Sequence, residues 1–396
     1  MSNANSTNKY YTIFLSILPL IVMYRVPGTS LAMATVLTFL GLIFATMSLL
    51  KRKIRVPFSI IFPLILYFFY VTTRSTWQFT VLIIAVFIHI LAITTGVVDE
   101  RLFRKIIERV AVIAAICVFI QQLLNIGFGM KIPFVIGDLF IETVKEQYWK
   151  LLSGEGASNM YRPCAFFLEP SHYSQYCILG LGSCLFSNQP NLRKALVISL
   201  GILMCTSGMG LVATIAMWGI WKFTQTSLGS LGIIFKKSII VVLLLVISVF
   251  ILDQISFTHN IISRLTADPE SGDYNAINGR LWWWDAIFGN LGISDIIWGF
   301  GMENLPEDAY LTGFMKQLYC YGIIGCSFLF FFLINLIFRT SLLGKACTAI
   351  YTGLLFFADL TGYVSLLFYI GTFLILYMNK SIISYRYSTD VISIRR

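Results

Sequence analysis

Uninterrupted apolar runs, each long enough to cross a hydrocarbon layer of ~30 Å as a helix, recur along almost the whole chain. Inside lipid there is no water to satisfy backbone amides, so such runs close their hydrogen bonds as helices or within a closed barrel. The short alternating segments of a barrel are absent. The expected fold is therefore all-α, a polytopic integral membrane protein. Composition agrees: of 396 residues 57% are hydrophobic and 12% charged, too little polar surface to coat a soluble globule. The first run, 10–24, lacks a basic flank and a small-residue cleavage site and leads into another span, so it reads as the first helix rather than a removable leader.

Apolar runs broken by charge and turn residues predict about twelve helices in a single membrane domain over 1–396. Their approximate ranges are 10–24, 29–50, 57–72, 79–97, 106–127, 173–188, 195–206, 207–224, 238–252, 309–338, 345–360 and 363–379. The net charge of +10 could suggest a nucleic-acid partner, but its distribution fits a topology instead. Lys51, Arg52, Lys53 and Arg55, then Arg101, Arg104 and Lys105, then Arg193 and Lys194, then Lys236 and Lys237, and finally Arg395 and Arg396 fall on one side. The positive-inside rule makes that side cytoplasmic and puts both termini there. No nucleic-acid partner is expected.

Two long connections, approximately 128–172 and 253–308, fall on the opposite side and hold most of the 19 acidic residues. In the first, Ile141, Val144, Tyr148 and Leu152 recur at helical spacing beside Trp149, which predicts a helix lying in the interface. The second carries Trp282, Trp283 and Trp284, and indole rings favour the headgroup zone. Membrane lipid is thus an expected partner of both loops, and their placement suits chemistry on a lipid-linked molecule.

The most informative string is RPCAFFLEPSHYSQY, 162–176, where the first loop re-enters the membrane. Arg162 offers a planar fork for phosphate oxygens. Glu169, partly desolvated near the membrane, is a candidate proton acceptor for a sugar hydroxyl. The plainer alternative is an Arg162–Glu169 structural tie. His172 is the second candidate for proton transfer; its plainer reading is a first-turn hydrogen bonder. Arg264 and Arg280, the latter in NGRLWWWD at 278–285, stand in an otherwise acidic loop and suit a pyrophosphate clamp or internal ion pairs. Gly299 and Gly301 in WGFGMENLPEDAY permit a tight backbone approach. Lys316 enters the following helix, where an ammonium needs a wet cavity, a partner or room to snorkel.

The eight cysteines form no CxxC pair, and no zinc spacing, P-loop or G-x-G-x-x-G after a strand is present. Asp268, Glu270 and Asp273 match a calcium loop only loosely. No metal site and no cofactor are expected, and a nucleotide-activated donor is poorly supported.

The pattern R-x-x-x-F-F-x-E-P-S from Arg162 to Ser171, after a long outer loop, resembles the signature region of Wzy-type polymerases of O-antigen or capsular polysaccharide. TSGMG at 206–210, NGRLWWWD at 278–285 and GFGMEN at 299–304 add to the resemblance. It implies a metal-independent glycosyltransferase of the GT-C class, related to O-antigen ligases, in a bacterial inner membrane with its active face periplasmic. The implied substrate is an undecaprenyl-pyrophosphate-linked oligosaccharide, with a chain-length regulator as a possible further partner. Carried onto this chain, Arg162 and Arg280, with Arg264 and Lys316, would hold pyrophosphate and glycan, and Glu169 or His172 would serve the acceptor hydroxyl. The nearest alternative is a ligase. A flippase or transporter is the alternative from another class, but it should carry several charges inside its helices, and only Lys316 and Asp359 qualify.

Overall fold

A computed structural model describes residues 2–29, 31–135, 139–141, 149, 161–167, 169–225, 288–289, 291–306 and 311–393. Among the described residues the elements are helices, with no strand beyond two isolated bridges, Tyr24–Phe140 and Arg25–Ala32. In chain order they are α1 Ser2–Ile21, α2 Met33–Lys51, α3 Phe58–Thr73, α4 Trp77–Thr94, α5 Glu100–Phe128, α6 Pro170–Leu185, α7 Leu192–Met204 and α8 Gly208–Gln225. After these come the short α9 Ile293–Trp298, then α10 Gly313–Arg339, α11 Leu342–Leu354 and α12 Tyr363–Ser393. Each expected apolar run is met by a helix except 238–252, which lies outside the described residues. So do Arg264, Arg280, the tryptophan triplet, the loose calcium-like cluster and all of 141–152 but Ile141 and Trp149.

The helices α2, α4, α5 and α10 are long and apolar enough to cross a membrane. Their outward faces are bare hydrocarbon: Phe39, Ile43 and Phe44 on α2, and Ile113, Ile116 and Leu123 on α5, are exposed. A patch of that kind is unfavourable in water and suits lipid, so the architecture fits a helical membrane protein. Local signals set the ends. Asp99 caps α5 by accepting the amides of Arg101 and Leu102, and Gly129, in the left-handed region at φ 66°, ends it.

The helix α6 runs through the middle. Every residue from Tyr173 to Leu185 is buried, against α5, α7, α8 and α11. Small residues permit this crowding: a Cβ on Gly180 would lie 2.5 Å from the Ala111 Cβ, and one on Gly201 of α7 would lie 2.4 Å from the Tyr173 hydroxyl. Hydrocarbon offers no hydrophobic drive between helices, so close approach at small residues is what holds them.

Two local features differ from the sequence expectation. The run 345–360 is not helical throughout: α11 ends at Leu354 and the chain turns back over 355–362. The reason is a capping exchange, in which the Gly313 and Phe314 amides at the start of α10 donate to the carbonyls of Ala358 and Leu355, each at 2.8 Å. The second is α10, which breaks its helical geometry at Gly322, φ 61°. There the 299–301 segment docks, with Phe300 N donating to Tyr319 O and Gly301 N to Cys320 O. The glycine pair does serve a close approach, made to the backbone of α10.

Candidate functional site

The end of α1, the starts of α6, α8 and α12, and the 355–362 turn surround a cavity of about 390 Å³. That volume falls in the usual range for small-molecule pockets, ~300–1,000 Å³. Its polar lining is Glu169, Ser171, His172, Gln175, Asp359 and Ser365. Two candidates from the signature string, Glu169 and His172, therefore share one cavity.

Pro170 occupies the first turn of α6, where its missing N–H costs nothing, and leaves Glu169 extended just ahead of it at φ −136°. The Ser171 hydroxyl donates to Glu169 Oε2 at 2.8 Å, which orients the carboxylate. His172 Nδ1 is buried without a hydrogen-bond partner among the described residues. Gln175 is 5% exposed; its carbonyl accepts from Tyr351, but among the described residues its side-chain amide has no protein partner.

Asp359 lines the cavity from the 355–362 turn. Its Oδ2 accepts from Lys316 Nζ at 2.9 Å, and its Oδ1 accepts from Thr361 N at 2.9 Å and Thr361 Oγ1 at 2.7 Å. Desolvation opposes the ionised form, but the Lys316 ammonium and the Thr361 donors outweigh it and hold the carboxyl below the usual carboxylate range. Lys316 lies in the first turn of α10 and reaches the cavity edge only through this pair.

Arg162 stands apart from the cavity lining. Its Nε donates to Thr206 Oγ1 at 3.4 Å. Thr206 and Ala165 both adopt positive φ, 58° and 54°, a costly conformation for residues with a Cβ that tends to gather at functional sites. Adjacent glutamines of α5, both buried, brace these bends. Gln121 Oε1 accepts from Ala165 N at 2.9 Å and its Nε2 donates to Ile132 O, while Gln122 Nε2 donates to Met204 O. The Cys164 thiol lies within electrostatic reach of Arg162 and Glu169; burial, with Cys205 and Glu169 adding, pushes it up against the opposing pull of Arg162.

The structure thus brings Glu169 and His172 together in one cavity, leaves Arg162 outside its lining and bonded to Thr206, and ties Lys316 to Asp359. Sequence reasoning missed Gln175, Ser365 and the cavity role of Asp359. The usable signal was that Lys316 and Asp359 were lone opposite charges in otherwise apolar stretches. Among the described residues no group of three His, Cys, Asp or Glu side chains could hold a metal ion.

The fold and site define a helical membrane protein with a polar cavity at the start of its central helix. No protein-family model matches the chain, and no curated protein matches it.

Proposed function

We propose that the protein is a lipid-carrier-dependent glycan polymerase of the inner membrane. The reading has twelve spans of the GT-C class, both termini cytoplasmic and the cavity on the periplasmic side. The observation that carries it is the convergence of Glu169 and His172, from the string that resembles polymerase signatures, on one cavity of small-ligand size.

In this reading a sugar hydroxyl of a lipid-linked repeat unit enters the cavity. Glu169 takes its proton, with His172 as the alternative acceptor. The hydroxyl oxygen bonds to the anomeric carbon of the growing glycan as the bond from that carbon to the pyrophosphate oxygen breaks. The leaving undecaprenyl pyrophosphate keeps the electron pair, and its charge is met by Arg162 and by the arginines of the second loop, Arg280 and Arg264. The donor already stores the energy of transfer, so no nucleotide is required.

The test is the polysaccharide banding pattern of a deletion strain carrying Glu169→Gln or Arg280→Ala at normal protein level. The expected result is loss of long chains with single capped repeats retained. Long chains in both variants would overturn the site assignment. Loss of the single repeat as well would replace the polymerase with a ligase or flippase.

A further inference from the structure

We propose that α3 and α10 together hold one phospholipid molecule of the surrounding membrane, its phosphate on Arg74 and its acyl chains in the apolar groove between the two helices. The inference goes beyond the glycan chemistry and needs only that the bundle lies in lipid.

Arg74 follows the last turn of α3 and is half-buried. Its Cζ lies over two rings, 5.9 Å from the centroid of Tyr70 and 5.6 Å from that of Trp298. Tyr70 Oη donates to Trp298 O at 2.7 Å, which fixes the two rings to each other. Attraction to a ring face holds a guanidinium in place without consuming a donor, so its planar N–H fork remains to grip phosphate oxygens. The exposed Glu303, beside Gly301, makes no ion pair with it. Two exposed indoles, Trp77 at 78% and Trp298 at 48%, stand at the same end of the bundle, and indoles gather where headgroups lie. Arg74 is therefore at phosphate depth.

From Arg74 an exposed stripe runs along α3 through Phe69, Phe62 and Phe58, and α10 exposes Ile323, Phe331, Ile334 and Phe338. The two helices are antiparallel neighbours. Tyr67 Oη donates to Gln317 Oε1 at 2.7 Å, Tyr70 meets Phe328 edge-on at 6.3 Å, and Arg339 Nη1 donates to Ser59 Oγ at 2.7 Å. At ~3.6 residues per turn, each exposed stripe falls about a quarter turn from the residues that meet the partner helix. Because the helices run in opposite directions, both stripes face the same side and form one groove. Phe62 lies twelve residues before Arg74, ~18 Å along the axis, close to the depth of one leaflet, about half of ~30 Å. A phospholipid, with two chains below one phosphate, matches two apolar walls below one arginine. None of these residues lines the glycan cavity.

The experiment is native mass spectrometry of the full-length chain in detergent, titrated with phosphatidylglycerol, with diacylglycerol of the same chains and with undecaprenyl phosphate. One phosphatidylglycerol should bind at a much lower concentration than diacylglycerol. Arg74→Met should raise its half-binding concentration about tenfold, the usual weight of one charge-assisted bond. Arg74→Lys, which keeps the charge but loses the fork, should raise it less, and it carries the test if the methionine variant does not fold. Phe69→Ala should weaken binding from within the groove. Lys51→Met removes an equal, exposed charge from α2 and should change nothing. Equal effects of Lys51→Met and Arg74→Met would show diffuse charge attraction and overturn the site. Diacylglycerol binding as tightly as phosphatidylglycerol would overturn the phosphate contact, and an unaffected Phe69→Ala variant would overturn the groove. Tighter, Arg74-dependent binding of undecaprenyl phosphate would give the site to the lipid carrier and overturn the phospholipid assignment.

Discussion

Lys316 Nζ lies 2.9 Å from Asp359 Oδ2, joining the first turn of α10 to the turn before α12 across 43 residues of chain. The side chains are 15% and 39% exposed, so the pair sits between the weak surface case and the costly buried one. Removing one partner strands the other. Lys316→Met should lower the melting temperature in detergent by about 2–4 °C, corresponding to about 1 kcal/mol. Lys316→Met/Asp359→Leu should recover most of that loss. An equal or larger loss in the double variant would mean that the two side chains do not stabilise through each other.

The same pair sets a response to acid. The folded carboxyl of Asp359 sits below its usual range, so its contribution is complete above the unfolded value of ~4 and is lost as pH falls through the lower folded value. The melting temperature of the unsubstituted protein should therefore drop more steeply below pH ~4 than that of Lys316→Met/Asp359→Leu. Parallel curves for the two proteins would remove Asp359 from the acid response.

How far this was legible in the sequence depends on distance along the chain. The length of an apolar run decides whether a helix forms, which is why the helices fall where expected. Lys316 and Asp359 were each visible as charges that apolar surroundings make expensive. Their union was not, because it depends on carbonyls of Leu355 and Ala358 turning back to cap α10, an event no local pattern announces. In the same way Glu169 and His172 stood out beside Pro170, while Gln175 and Ser365 are ordinary helix residues until a third element faces them. Between Arg162 and Glu169 the chain bends through the left-handed region at Ala165, a turn that no spacing rule announces.

Gly322 and Gly299 make the closest backbone approach between α10 and the segment that precedes it. A Cβ on Gly322 would lie 2.2 Å from Ile297 O, and one on Gly299 would lie 2.5 Å from Gly322 N. Both residues also hold positive φ, which costs an L-residue ~1–2 kcal/mol before any clash. Gly322→Ala should detach the 299–301 segment and expose it to protease, with cleavage before the whole chain unfolds. A variant with the protease pattern of the unsubstituted protein would refute the docking.

Gln121 holds the bend at Ala165, and its loss should separate geometry from chemistry. Its amide bridges Ala165 N and Ile132 O from a position 1% exposed on α5. Gln121→Leu removes both bonds at near-constant volume and leaves the buried Ala165 N–H unsatisfied, at a cost of ~1–3 kcal/mol. The bend at Ala165 then keeps only the Phe167 N to Cys164 O and Cys164 Sγ to Phe167 O bonds, and its relaxation should move Arg162 relative to Glu169. The melting temperature should fall, and polysaccharide chains should shorten even though Gln121 does not line the cavity. Gln122→Leu releases Met204 O instead and should cost similar stability with a smaller effect on chain length, because it leaves the Ala165 bend intact. Equal shortening in both variants at matched protein levels would assign the effect to lost stability alone and deny Gln121 its place in positioning the site.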